Sequence, residues 1–240
     1  MKKRGALIVS IIFSVLLAVH MLISFIMFVG LDGDIYRSAQ LADDIALNAE
    51  VSQETLDAAT TGLIDYMEDR RDNLVIQSPE QEGHELFNSK EKAHMVDVKN
   101  LFILAKKINT ILFIILLLIL VFYLGYDKVG MQRYFMKYSA VSLLIILGVW
   151  LIIALLAIID FSAFWTMFHK IFFTNDLWML NPRTDLLIRM MPQRFFVRIV
   201  VNILVRFMGS YAIVLVGLAI GHTAINKKMA WQMRRNRALK

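Results

Sequence analysis

Four stretches of this 240-residue chain contain no Asp, Glu, Lys or Arg: Gly5–Leu31, Ile108–Tyr126, Tyr138–Ile159 and Phe207–Asn226, of 27, 19, 22 and 20 residues. A helix rises about 1.5 Å per residue, so about 20 apolar residues cross the hydrocarbon core of a bilayer. Each stretch meets or nearly meets that length. The composition agrees, with 58% hydrophobic and 19% charged residues, against about 45–50% and 25% in soluble domains. The expected fold class is an all-α membrane protein with four transmembrane helices. With no Cys in the chain, a disulfide scaffold is excluded, and this apolar excess excludes a disordered chain.

The charges give an orientation. With spans at 5–31, 108–126, 138–159 and 207–226, the N-terminal tail, the 127–137 loop and the 227–240 tail hold 12 Lys/Arg in 29 residues. The segments 32–107 and 160–206 hold the other 14 in 123 residues. The positive-inside rule puts both termini and the 127–137 loop in the cytoplasm, and the two long segments outside. Segment 32–107 carries 16 acids against 8 bases. The overall net charge of +6 is therefore read as retention beside anionic lipid at the inner face; no nucleic-acid partner is expected. The first run is too long for a signal-peptide core of about 7–15 residues. It also lacks a small-x-small ending at Met27–Leu31, so residues 1–31 are read as a retained tail and first span.

Segment 32–107 is expected to fold as a small helical extracellular cap. Ser52 is a good N-cap, and Leu56, Ala59, Leu63, Tyr66 and Met67 recur on one helical face. A turn-rich stretch, Asp72–Gly83, follows. Ser89 then offers a second N-cap with Glu91 in the first turn, and no breaker intervenes before Gly125. Segment 160–206 is basic and crowded with rings: Phe161, Phe164, Trp165, Phe168, Phe172, Phe173, Trp178, Phe195 and Phe196. Such rings suit the headgroup level of a membrane, either as an anchoring belt or as a lipid-chain pocket. The polar residues among them (Asn175, Arg183, Asp185, Arg189) favour a site.

No Gly-x-Ser-x-Gly elbow, His-Glu-x-x-His pair, phosphate loop or dinucleotide fingerprint occurs, which leaves five histidines as candidates for chemistry. His20 and His222 fall in the first and fourth runs and read as packing residues. His84 lies beside Gly83 in a turn and reads as solvated. His94 precedes the second run by about four turns, with Glu91 and Asp97 three residues to either side, so a carboxylate could orient its ring; an exposed histidine with ordinary helical neighbours is the alternative. His169 lies ten residues past the third run, within the aromatic segment on the same side. Two histidines with no obvious third ligand make a metal unexpected, and no cofactor is expected.

The stretch Leu86-Phe87-x-Ser89-x-Glu91-x-x-His94-Met95-x-Asp97-Val98-Lys99 resembles the signature of the lipoprotein intramolecular transacylases, the Lit family. So does Phe168-His169-x-x-x-Phe173-x-Asn175-x-x-Trp178, continuing through Pro182, Asp185, Leu187-Ile188, Pro192 and Phe195-Phe196. The resemblance implies four spans with an extracellular cap, in the plasma membrane of a bacterium. It implies catalytic His94 and His169, with Glu91, Asp97, Phe168, Phe173, Asn175, Trp178 and Asp185 binding substrate. The substrate so implied is a lipoprotein whose N-terminal cysteine carries a diacylglyceryl thioether. Its sn-2 acyl chain would move to the cysteine's own α-amine, with one histidine as base and the other stabilising the oxyanion. The roles are assigned first as His94 base and His169 oxyanion stabiliser, and are open to exchange. The reading from another class is a non-enzymatic sensor or a transporter with an acidic outer cap. A basic tail of only 14 residues and the lack of a buried acidic relay speak against those.

Overall fold

The computed structural model describes residues 2–125 and 129–238. Among the described residues the chain forms nine helices, and the only strand-like feature is one antiparallel bridge between Gln77 and Glu85. The helices are α1 (Lys2–Gly30), α2 (Gly33–Ala42), α3 (Ile45–Asn48), α4 (Gln53–Met67), α5 (Ser89–Gly125), α6 (Val129–Ile159), α7 (Phe161–Phe172), α8 (Leu186–Met190) and α9 (Gln193–Ala238). Four of them, α1, α5, α6 and α9, are long and apolar enough to cross a membrane, one for each charge-free run.

These helices outrun the apolar stretches that announce them. In α5 the helix begins at Ser89, well before Ile108, and α9 extends for 46 residues. The expected 127–137 loop is shorter than its charge suggested. Residues 127 and 128 lie outside the described residues, as do Tyr126 and Lys240, while 129–137 is already helix. Bases and polar residues there mark a change of solvent, but nothing between Gln132 and Lys137 breaks a helix. Pro192 stands immediately before α9, where its missing N–H costs nothing.

The chain divides into two compact units. One comprises residues through Ile23, Ile108–Leu155 and Val205 onward. Its packing rests on close backbone approach. The hydroxyls of Ser10 and Ser14, one turn apart on α1, donate to the carbonyls of Phe135 and Ser139 on α6, each at 3.2 Å. Small residues at i and i+4 are what membrane helices use for this purpose. Phe13, Leu116, Tyr123 and Phe135 fill the adjacent core, with the Tyr123 and Phe135 rings stacked at 4.3 Å. Outward side chains such as Leu118, Ile145 and Ile213 are exposed, as suits a hydrocarbon solvent.

The other unit comprises Ser24–Lys107 and Leu156–Leu204. Its core gathers α2, α3, α4 and α8 with the ends of α1, α5 and α9. The predicted face of α4 is buried at Leu56, Ala59, Leu63, Tyr66 and Met67, and the Ser52 hydroxyl caps that helix by accepting the Thr55 N–H at 3.1 Å. Gly62 lies so close to Ile76 that a Cβ there would overlap its side chain. That contact lets the turn-rich stretch close onto α4. Gly83, at φ +78, makes the left-handed turn between Gln77 and Glu85 that a residue with a Cβ would resist.

The cap of α5 falls one residue earlier than expected, on Asn88. Its side-chain oxygen accepts the Lys90 and Glu91 N–H groups at 2.9 and 3.1 Å, and Glu91 accepts the Asn88 N–H at 2.8 Å. This reciprocal capping box satisfies donors at both ends of the first turn. An Asn-x-x-Glu spacing at 88–91 offers that reciprocity, whereas a cap at Ser89 would put Glu91 one position too early for it.

Candidate active site

The site lies wholly within the second unit, where α5 meets α7 and the 173–187 connection. His94 projects from the third residue after Glu91 on α5. His169 occupies the last turn of α7, a 12-residue helix capped by Asp160, whose carboxylate accepts the Ala163 N–H. Both imidazoles are buried, at 8% and 7% exposure, and their ring centroids are 6.3 Å apart. This spacing is short enough for one small group to contact both rings.

Rings wall the pair. Phe173 packs against His94 at 5.3 Å and against His169 at 5.5 Å, Trp178 stacks on His169 at 4.8 Å, and Phe168 meets it edge-on at 5.5 Å. The His169 Nδ1 lies 2.8 Å from the Trp165 carbonyl oxygen. A carbonyl only accepts, so Nδ1 carries the proton and the neutral ring presents its lone pair at Nε2. Burial holds His169 below the ordinary histidine range, against the opposing effect of that hydrogen bond. For His94, burial and then the neighbouring His169 outweigh the nearby charge of Asp97 and bring it down to about 4. Both rings are therefore neutral at pH 7. The Nδ1 of His94 is buried without a hydrogen bond.

The acidic residues expected beside His94 take other work. Glu91 is 1% exposed, and its two oxygens accept the backbone N–H groups of Asn88 at 2.8 Å and Leu187 at 2.6 Å. Burial raises its carboxyl above the usual range despite those bonds. Asp97 accepts from the Asn175 amide at 2.9 Å, while the Asn175 oxygen accepts the Leu177 N–H at 3.0 Å. Asp185 accepts from Asn88 Nδ2, Thr184 Oγ1 and the Asn181 N–H, at 2.9, 2.7 and 2.8 Å. Burial would raise its carboxyl, but these donors together hold it below the usual range. Glu91, Asp97 and Asp185 thus tie the 173–187 connection to α5, and Phe173 and Trp178 are delivered to the histidines by those ties.

Three contributors were not anticipated: Asn88, the Trp165 carbonyl and the Leu187 N–H. The first was readable from the Asn-x-x-Glu spacing, and the second from a histidine one turn after a tryptophan. The third depends on a contact across 96 residues. His84 is exposed in its turn. Among the described residues, no group of three His, Asp or Glu side chains is arranged to hold a metal.

A family model described as lipoprotein intramolecular transacylase Lit matches residues 7–196. Among solved structures, the chain is similar to the membrane-integral lipoprotein intramolecular transacylase Lit from Bacillus cereus, determined in meso. The TM-score is 0.69 at 19% identity, covering 98% of this chain and 99% of that one. A form of that protein with one histidine changed to alanine gives 0.71 at 19% identity, over 95% and 96% of the two chains. With the change to arginine the values are 0.64 and 19%, over 96% and 94%. No curated protein sequence matches. Structural likeness at this identity establishes the shared four-span helical fold, while the family match spans most of the sequence. The chain belongs to the lipoprotein intramolecular transacylase family, a family of membrane acyltransferases.

Proposed function

We propose that this protein moves the sn-2 acyl chain of an S-diacylglyceryl-cysteine lipoprotein to the α-amine of the same cysteine, leaving an N-acyl, S-monoacylglyceryl product. The observation that carries the proposal is the pair of buried, neutral imidazoles 6.3 Å apart inside a wall of rings. The free α-amine, with an ordinary pKa of about 7.7–8.0, loses one proton to solvent before it attacks. Its nitrogen then bonds to the ester carbonyl through a cyclic tetrahedral species. His169 Nε2 takes the second amine proton and returns it to the glyceryl oxygen as the ester C–O bond breaks. His94 donates an N–H to the oxyanion. The lone pair left at His169 Nε2 by the Trp165 bond favours this division of roles over the reverse.

Donor and acceptor belong to one molecule, so orientation carries the largest share of the task, on the order of 7–11 kcal/mol. Phe173, Trp178 and Phe168 hold the glyceryl group between the histidines and keep water from hydrolysing the ester. The charge asymmetry of the tails supports an orientation with both termini in the cytoplasm and the 32–107 cap and the site outside, and the family supports the plasma membrane of a bacterium as its location.

The test is the intact mass and fragmentation of a reporter lipoprotein, with the protein expressed in a bacterial host lacking N-acylation. The expected product carries one acyl chain on nitrogen and one on the glyceryl group. His94→Ala and His169→Ala should each leave the diacylglyceryl form with a free amine. An unchanged reporter beside well-folded protein would favour the sensor or transporter reading instead.

A further inference from the structure

One face of α7 carries more aromatic surface than the walls of the histidine pair require. Phe161, Trp165, Phe168 and Phe172 follow one another at spacings of four, three and four residues, which align them along one side of a helix. Their rings form a continuous rail: Phe161 on Trp165 at 5.7 Å and 16°, Trp165 on Phe168 at 5.2 Å and 10°, and Phe168 on Phe172 at 4.9 Å. Trp165 is braced from behind by Phe196 of α9 at 4.3 Å. The same Trp165 holds His169 through its carbonyl and packs its indole edge-on against the imidazole at 5.0 Å. His169 therefore touches the rail at Trp165 and Phe168, and the Trp165–Phe161 arm leads away from the reacting centre.

We infer that the Trp165–Phe161 arm of this rail is the subsite for the acyl chain being transferred, with Phe161 reading its distal end. The inference rests on the function proposed above. Continuity with His169 selects the occupant: Trp165 touches that histidine without belonging to the Phe168, Phe173 and Trp178 wall given to the glyceryl group, so it offers a separate apolar path to the chain bonded to the reacting carbonyl. Length agrees. From His169 back to Phe161 is eight residues, about 12 Å of helix, against about 15 Å for one leaflet of the hydrocarbon core. Flat, rigid rings give a chain contact area with little loss of their own entropy. Phe161 lies beyond the reach of a short acyl group and against the far half of a long one.

The test uses purified full-length protein and two diacylglyceryl lipopeptides that differ only in the sn-2 chain, palmitoyl or octanoyl. Transfer to nitrogen is followed by mass spectrometry. The readout is the ratio of kcat/KM for palmitoyl over octanoyl, which a general loss of folded protein does not move. Phe161→Ala is expected to lower that ratio about tenfold, the scale of one ring's apolar contact. Phe161→Leu, which restores apolar bulk, should recover most of it. An unchanged ratio in Phe161→Ala, with the unsubstituted protein active on both donors, would overturn the subsite and leave the rail a membrane anchor. Absence of transfer by the unsubstituted protein would overturn the function itself, and the subsite with it.

Discussion

His169 donates its Nδ1 proton to the carbonyl oxygen of Trp165, 2.8 Å away and one helical turn earlier. This bond fixes a tautomer that neither residue type specifies alone. In protein labelled with 15N-histidine, the His169 ring is expected to show a protonated Nδ1 and an unprotonated Nε2 at pH 7. His169→Ala should reduce transfer by about 10²–10⁴-fold, the range of general acid–base catalysis. A protonated Nε2 in the neutral ring would reverse the roles assigned to the two histidines.

The pH dependence follows from the same burial. His94, at about 4, and His169, also lowered, both stay neutral where an ordinary histidine charges. The rate should therefore rise with pH as the substrate amine loses its proton near 7.7–8.0, with no separate inflection near 6.5. Stability follows a related rule. Because the folded pKa is depressed, the unfolded chain binds more protons below about 6.5. The stability from these rings is complete above that pH and falls on acidification, by up to about 1.4 kcal/mol per pH unit for each ring until its folded pKa is reached. Glu91 runs the other way: its carboxyl is raised, so stability is lost as pH rises from its ordinary value through the raised one. Thermal unfolding from pH 4 to pH 8 would reveal the balance, and in His94→Ala the acid-side slope should shrink.

Glu91 holds together two backbone segments far apart in the chain. Removing its carboxylate leaves the Leu187 N–H without its acceptor at a buried position. An orphaned buried donor costs about 1–3 kcal/mol. Glu91→Ala is expected to lower Tm by several degrees and to loosen the 173–187 connection. Glu91→Gln keeps one acceptor and turns an NH2 toward the other donor, so it should fall between. Equal Tm in all three proteins would show that the tie contributes nothing to holding the connection.

The four long helices were legible because charge and hydropathy are written locally. So were Ser52 and the buried face of α4, where the helical period of 3.6 selects Leu56, Ala59 and Leu63. His94 and His169 could be singled out by elimination and by family resemblance. Their neighbourhood could not, because sequence proximity suggests partners that the fold gives to others. Glu91 stands one turn before His94 yet bonds Leu187, and Asp97 one turn after it bonds Asn175. Helices α2 and α3 were equally hidden. Asp32 caps α2 through Asp34 and Ile35, but a helix as short as α3 is decided by tertiary packing more than by propensity.

Asp97 and Asn175 meet across 78 residues and secure the loop that carries Trp178 onto His169. Asn175→Asp would set two carboxylates against each other. The repulsion should lift Trp178 from its stacking position and reduce kcat/KM by about tenfold at pH 7.5, with a smaller effect on Tm because Asn175 is exposed. Asp97→Asn alone keeps an acceptor oxygen for the Asn175 amide and should cost less. Combining the two substitutions reverses the direction of the bond, with the amide now on α5 and the carboxylate on the loop. If the contact itself positions Trp178, the double variant regains most of the activity lost by Asn175→Asp, and the cycle gives a coupling well above additivity. A double variant no better than Asn175→Asp would mean that Asn175 acts through its bond to the Leu177 N–H and that the tie to α5 is incidental to catalysis.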